Sequence, residues 1–171
     1  MVFLLLLAGH DTTSNLISGS ALALMDNPEQ AERLRVDDSV IPTAVEELLR
    51  FTTPVPCGVP RLAIEAVTFS GIEIPAGSTL LAMIISANRD DAVFRDPNAL
   101  RLDRDPNRHL TFAVGKHFCL GNQLARLEGR TAIPELVRRF PAMQLAVPRE
   151  QLRYKATQSL RGLERLPIRL R

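Results

Sequence analysis

Cysteine is nearly missing from these 171 residues, which hold two, Cys57 and Cys119. At most one disulfide is possible, so a disulfide-stapled secreted scaffold is excluded. Zinc fits poorly as well, because there is no Cys-x2-Cys pair and no second close histidine pair. An excess of charge is also lacking: 21 Lys and Arg against 19 Asp and Glu leave a net charge of +2. That is too small to imply a nucleic-acid partner by itself. The arginines are dispersed, offset by acids and accompanied by no recognition motif, so a nucleic-acid-binding module is set aside. Long apolar runs are absent too. Met1–Ala8 imitates the core of a signal peptide, but no basic region precedes it and no small-residue cleavage site follows. It falls far short of the ~20 residues a bilayer span needs, and no other stretch is long enough, so no membrane partner is expected.

What remains is the composition of a globular protein, 46% hydrophobic and 23% charged, with no repeat and no low-complexity linker. The length gives a single domain over residues 1–171, enough to bury roughly 70% of the unfolded surface. Val2 to Met25 reads as a helix, with Gly9 and the cluster Asp11-Thr12-Thr13-Ser14 in its middle. Asn27-Pro28-Glu29-Gln30 is a helix start, in which Asn27 caps, Pro28 takes the first position and Gln30 reaches back to the cap. That helix runs to about Arg35. Another begins at Pro42, carries Ala44, Val45, Leu48 and Leu49 inward and ends near Phe51.

Three prolines and a glycine between Pro54 and Pro60 enforce an extended loop. Strands are expected at Arg61–Ile64, Val67–Phe69, Ile72–Ile74 and Thr79–Ile85, and further short ones at Leu145–Val147, Leu152–Tyr154 and Leu166–Leu170. Residues 88–118 read as irregular, and so long a loop in a compact domain is usually functional. The last long helix spans about Gly121 to Arg139, with Pro134 predicting a kink. The fold class is mainly α with small β-sheets.

The most informative stretch is Phe112-Ala-Val-Gly115-Lys-His117-Phe-Cys119-Leu-Gly121. A cysteine just ahead of a helix has its thiolate favoured by the helix's N-terminal partial charge and free N–H groups. Gly115 and Gly121 let the backbone turn sharply and a flat group approach. Lys116 and His117 add donors or positive charge beside it. These are the requirements for a cysteinate that ligates haem iron. Taken alone, Cys119 is more often an inert buried thiol; the combination of Phe112, Gly115, His117, Cys119 and Gly121 at these spacings overturns that reading.

Two other segments carry chemistry. In Ala8-Gly9-His10-Asp11-Thr12-Thr13, an acid–alcohol pair in an apolar helix can hold water and relay protons, and Gly9 leaves room for a ligand. The plainer alternative is a threonine that bonds back to its own helix. Glu47-Leu48-Leu49-Arg50 sets opposite charges at i and i+3. On a surface such a pair contributes only about 0.2–0.5 kcal/mol, whereas breaking it when buried costs about 3–5 kcal/mol.

Together these motifs, in this order, resemble the cytochrome P-450 superfamily, and the resemblance covers essentially the whole chain. It implies the C-terminal half of that fold, beginning within the distal helix, with the earlier helices and the lid over the substrate pocket lacking. It implies haem b with Cys119 as axial iron ligand, and Phe112, Gly115, His117, Gly121 and Arg61 around the cofactor. Arg61 and His117 fall where the family pairs the haem propionates. Asp11 and Thr12 take proton-delivery roles. Glu47 and Arg50 form a structural motif completed by Arg104, with His109 the rival. Residues facing substrate fall near Ala8, Val55, Val59 and Ser159–Gly162.

The implied activity is a monooxygenase of the soluble bacterial type. It inserts one atom of O2 into a small organic substrate, with electrons from a ferredoxin-type or flavin donor. Lys116, Arg126 and Arg130 read equally as a basic docking patch for that donor and as an ordinary solvated surface. The alternative is a truncated, non-catalytic remnant that binds haem weakly or not at all. Gly129 departs from the pattern, lowering the last helix's stability by about 1 kcal/mol relative to Ala.

Overall fold

The computed structural model describes residues 2–170. Its first helix, α1 (Val2–Met25), buries Leu16, Ala23 and Leu24 and stops where Pro28 withdraws a backbone donor. Pro28 instead opens α2 (Pro28–Val36). Asn27 and Gln30 are not used there as the local sequence suggests. The Asn27 amide donates back to the Ala23 carbonyl (2.8 Å) and closes α1, while Gln30 Oε1 accepts from the Leu102 N–H (3.0 Å) and pins a distant loop.

The third helix, α3 (Ile41–Thr52), has the strongest two-sided pattern, and Ala44, Val45, Leu48 and Leu49 are buried as expected. It ends at Thr53, which takes a left-handed φ of 42° and returns its amide to the Leu49 carbonyl at 3.1 Å. The long C-terminal helix, which becomes α5 in chain order, is Asn122–Arg139 and runs through Pro134. These four helices share one core, with Leu16, Leu24, Leu34, Leu48, Leu102 and Ile133 at its centre. Gly129 has a packing reason. A Cβ there would sit 3.1 Å from Val45 Cγ1, so its absence lets α5 lie close against α3.

The β structure is minor. Strands β1 (Arg61–Leu62) and β4 (Thr79–Leu80) pair antiparallel, as do β2 (Val67–Phe69) and β3 (Ile72–Ile74), and β5 (Gln144–Leu145) and β6 (Ile168–Arg169). The β2–β3 turn places Ser70 and Gly71 at φ 49° and 80°, the left-handed pair a tight hairpin demands.

Several expected strands are shorter. Thr79–Ile85 breaks after Leu80, and Ile84–Ala87 forms a helical turn, α4. The cause is pairing. Beyond β1 the proline-rich loop takes over, with the Gly58 N–H on the Ala82 carbonyl (2.8 Å) and the Ile85 N–H on Pro56 (3.0 Å). Leu152–Tyr154 makes a single bridge, Tyr154 to Leu163, rather than a strand. Residues 88–114 are irregular; Leu100, Leu102 and Phe112 tie them to the core, and buried ion pairs hold the backbone around them.

Candidate functional site

Two neighbouring carboxylates on α3 organise the site. Glu47 is fully buried, as is Arg50, and Arg104 is 7% exposed. Arg50 grips the carboxylate as a fork (Nε–Oε2 2.7 Å, Nη2–Oε1 2.8 Å), and Arg104 Nε shares both oxygens at 3.1 and 3.0 Å. The Arg101 N–H and the Asn107 amide complete the shell at 3.0 and 3.1 Å. The outward ends of both guanidinium groups then collect carbonyls. Arg50 Nη1 donates to Asn88 and Pro97 (2.8 Å each), and Arg104 Nη1 to Arg95 at 2.7 Å. A segment without helix or strand is thus anchored by charge-assisted bonds, the strong kind.

His109 does not join Glu47. Its Nε2 meets Glu46 Oε2 at 3.0 Å, one residue earlier on α3. Glu46 also receives a parallel fork from Arg126 on α5 (Nε–Oε1 2.7 Å, Nη2–Oε2 2.9 Å). Burial pushes the Glu46 carboxyl up, but hydrogen bonds from His109 and Arg126, with their charges, outweigh it and hold the pKa at about 2. This pairing corrects the expected docking patch. Arg126 is largely sequestered by Glu46, while Lys116 and Arg130 are exposed.

The cysteine loop enters from the Phe112 carbonyl, which accepts the Cys119 N–H at 2.9 Å. Between them the chain turns through two left-handed residues, Ala113 (φ 59°) and Gly115 (φ 73°), into a short 3-10 turn at Gly115–His117. Gly115 therefore has the conformational role expected of it. Gly121 does not: its φ is −84°, which any residue adopts, and it forms the N-cap of α5.

Cys119 is a half-buried free thiol packed against the core's edge, two residues before that cap. The Asn122 amide donates to the Cys119 carbonyl at 2.7 Å, and its own Oδ1 accepts from Arg126 Nη1 at 2.8 Å. Val114, Phe118 and Leu120, around the cysteine in sequence, are 70%, 49% and 73% exposed. Phe112 is buried, with the Arg126 guanidinium 4.5 Å from its ring centre. Arg61 on β1 and His117 are both exposed.

On α1 the structure gives Thr12 the plainer of its two expected bonds, with Oγ1 donating to the Ala8 carbonyl at 2.6 Å. Asp11 beside it is half-buried. Gly9 faces an open groove of about 450 Å³ between α1 and α5, lined also by His10, Thr13, Glu128 and Thr131; it contains neither Cys119 nor the Asp11–Thr12 pair.

Of the segments expected near substrate, the loop after α3 and the 159–162 turn come together. The Arg161 N–H bonds to the Pro54 carbonyl (2.7 Å), Arg161 Nη1 to Thr52 (2.6 Å) and Cys57 Sγ to Gln158 (3.1 Å), while Gly162 lies against Asn15 of α1. Val55 is half-buried there, and Val59 and Ala8 are exposed. Sequence reasoning missed Glu46, Asn122 and Ala113. Glu46 and Arg126 stand 80 residues apart, and nothing local announces their pairing.

The family model described as cytochrome P450 matches residues 1–159. The chain belongs to the cytochrome P450 family, and its fold is that of the C-terminal portion. It is 46% identical over 170 residues to the polyketide biosynthesis cytochrome P450 PksS of Bacillus subtilis, covering 99% of this chain and 42% of that protein. The cytochrome P450 monooxygenase PikC of Streptomyces venezuelae is 42% identical over 171 residues, all of this chain and 41% of that protein. The solved structure of PksS superposes with a TM-score of 0.95 over 99% of this chain and 44% of that one, at 46% identity. The tirandamycin C-bound monooxygenase TamI gives 0.96 over 100% and 43%, at 43% identity. The chain thus spans about 42% of the length of the curated relatives it matches.

Members of this family hold haem through a cysteine, and the donor set here fits that group. Among the described residues no three His, Cys, Asp or Glu side chains sit together as a metal site. One thiol near a helix N-terminus, with exposed apolar residues on both sides and a left-handed glycine beside it, suits a flat apolar group.

Proposed function

We propose that this chain forms the haem-binding part of a haem-thiolate monooxygenase, with Cys119 as the axial ligand of haem b. The observation that carries the reading is the fixed cysteine loop: Cys119 is tied at its N–H by Phe112 and at its carbonyl by Asn122, ahead of α5. Backbone N–H groups at that helix end favour the thiolate. Arg61 and His117 are exposed cationic or donor groups suited to the carboxylates of the haem edge, for which an arginine's planar fork is well shaped. When bound, haem supplies the activation of O2 and its insertion into substrate.

The chain's own contribution overhead lies with Asp11 and Thr12. The Thr12 hydroxyl donates a hydrogen bond to the Ala8 carbonyl and keeps lone pairs that accept from a water, while the half-buried Asp11 has access to solvent for proton delivery. Substrate would meet Ala8, Val55, Val59 and the 159–162 turn. Structural neighbours bound to tirandamycin C and to testosterone support a small organic substrate. Electrons would come from a ferredoxin-type or flavin donor docking near Lys116 and Arg130, in the cytoplasm, where two free cysteines are stable. No helix among the described residues is long and apolar enough to cross a membrane.

The test is the absorption spectrum of the reduced, carbon-monoxide-bound protein. The family's thiolate-ligated haem gives a red-shifted band, which should appear with the wild-type chain and vanish in Cys119→Ala. The chain spans only about 42% of the relatives it matches, and that supports a second reading, a non-catalytic chain that binds haem weakly or not at all. Absence of the band from haem-reconstituted wild-type chain would select it.

A further inference from the structure

Arg126 stands where two halves of the cysteine loop meet. Its Nη1 donates to Asn122 Oδ1 (2.8 Å), and the Asn122 amide holds the Cys119 carbonyl (2.7 Å). Its guanidinium plane lies 4.5 Å from the centre of the Phe112 ring, and Phe112 holds the Cys119 N–H. The arginine is itself immobilised from α3 by the two-pronged Glu46 bond, and Glu46 is steadied by His109. So the backbone on both sides of the sulfur is referred, through one cation, to the helix that also carries the Glu47 anchor.

We propose that Arg126 is a positioning residue for the Cys119 sulfur, acting in series through Asn122 and braced by Glu46. The proposal rests on the haem-thiolate reading for its purpose, but its geometry is independent of haem. A metal-binding side chain must be held to within about 0.5 Å by partners whose own rotamers are locked. Here the Ala113 and Gly115 turns supply no such lock, being loop residues in left-handed conformation. The Glu46–Arg126–Asn122 chain supplies it, and each bond polarises the next. An arginine is required because two prongs are spent on Glu46 and a third nitrogen must reach Asn122; lysine offers no such fork.

The experiment compares Arg126→Ala, Asn122→Ala and the double variant, each in a Cys57→Ser background. Two measurements are made on the full chain without haem: the rate of Cys119 alkylation by iodoacetamide, and amide hydrogen exchange at Cys119. The third, on the haem-loaded chain, is the proportion of the red-shifted carbon-monoxide band. Each single variant should speed alkylation and Cys119 exchange about fivefold, the equivalent of one lost hydrogen bond, and lower the proportion of that band. The double variant should match the singles, because members of one series share a single effect. Exchange in α3 at Leu48 and Leu49 should stay unchanged.

The proposal is overturned by wild-type rates in Arg126→Ala, by additive effects in the double variant, or by exchange that accelerates everywhere alike. A wild-type chain that gives no red-shifted band, while alkylation and exchange still respond in series, would reject the haem reading and leave the positioning role standing.

Discussion

Replacing Glu47 by glutamine changes one atom and should cost the protein much of its stability. The carboxylate accepts from Arg50 through two nitrogens, from Arg104 Nε, from the Arg101 N–H and from the Asn107 amide, with no exposure to water. Glutamine keeps the shape but turns one oxygen into a donor. Placed at the Oε1 position, the new NH2 confronts Arg50 Nη2, Arg104 Nε and the Arg101 N–H. At the Oε2 position it confronts Arg50 Nε, Arg104 Nε and Asn107. Either way two donors lose their acceptor outright, Arg104 Nε keeps only the remaining oxygen, and two guanidinium charges stay buried with no anion between them.

Breaking a buried ion pair by removing one partner costs about 3–5 kcal/mol, against a total of about 5–15 kcal/mol for a typical domain. With a urea slope of about 2 kcal/mol per molar, the midpoint should fall by roughly 2 M, read by far-ultraviolet circular dichroism. The control is Glu32→Gln. The Glu32–Arg35 pair has bonds just as short (2.7 and 2.5 Å) and the same i, i+3 spacing, but lies on the surface. Its midpoint should not move measurably, because exposed pairs gain little over hydration. A Glu47→Gln loss below about 1 kcal/mol would refute the claim that this carboxylate is a principal anchor of residues 88–107 beside the core contacts of Leu100 and Leu102.

Glu46 predicts an acid dependence. Its folded pKa lies near 2, below the ordinary 4.5, so its stabilisation is complete above about pH 4.5 and is lost as the pH falls toward 2. With a side chain 23% open to water, about 2 kcal/mol is expected; urea midpoints of wild type and Glu46→Gln should converge between pH 6 and pH 2.5, and parallel curves would reject this. Gly162→Ala would drive a Cβ into the Asn15 amide of α1 and should cost about 1–3 kcal/mol, relieved by a second change, Asn15→Ala. Ala113→Gly removes a left-handed alanine (φ 59°) worth about 1–2 kcal/mol of strain, offset in part by glycine's unfolded entropy; calorimetry should show a higher Tm, and a lower one would mean that the methyl group packs. If Lys116 and Arg130 dock an acidic electron donor, reduction of the haem-loaded chain should slow steeply between low and physiological salt, and a flat response would exclude the patch.

What could be read in advance follows the range of the interactions. The helices of the core were visible because their apolar spacing repeats within a few residues, and Glu47–Arg50 because i and i+3 share a helix face. The cysteine loop was visible as residue types, and the turn at Gly115 followed from them. Asn27 and Gln30 show where such reading fails. Both have the chemistry to cap α2, but Ala23 and Leu102 compete for them and win, for reasons 4 and 72 residues away. The broken strand after Leu80 is similar, since its apolar run is sound but its neighbour becomes the proline-rich loop. The pairing of Glu46 with Arg126 had no local trace at all. Arg126 read as one more surface cation until the packing of α5 on α3 brought the two together.

That packing also explains why two adjacent glutamates have different duties. Successive residues of a helix point about 100° apart, the turn set by 3.6 residues per revolution. Glu47 therefore faces the irregular 88–107 segment, while Glu46 faces α5 and the cysteine loop. Neither of those regions has a ladder or an extended helix of its own to fix it, and each is held instead by arginines converging on a carboxylate. Because both carboxylates ride on one rigid helix, displacing α3 should move the loop and the segment together. A shift of α3 by a core substitution such as Leu48→Ala, which leaves both ion clusters chemically intact, should thus speed amide exchange at Cys119 and at Arg101 in parallel. Acceleration at one without the other would show that the two anchors are independent.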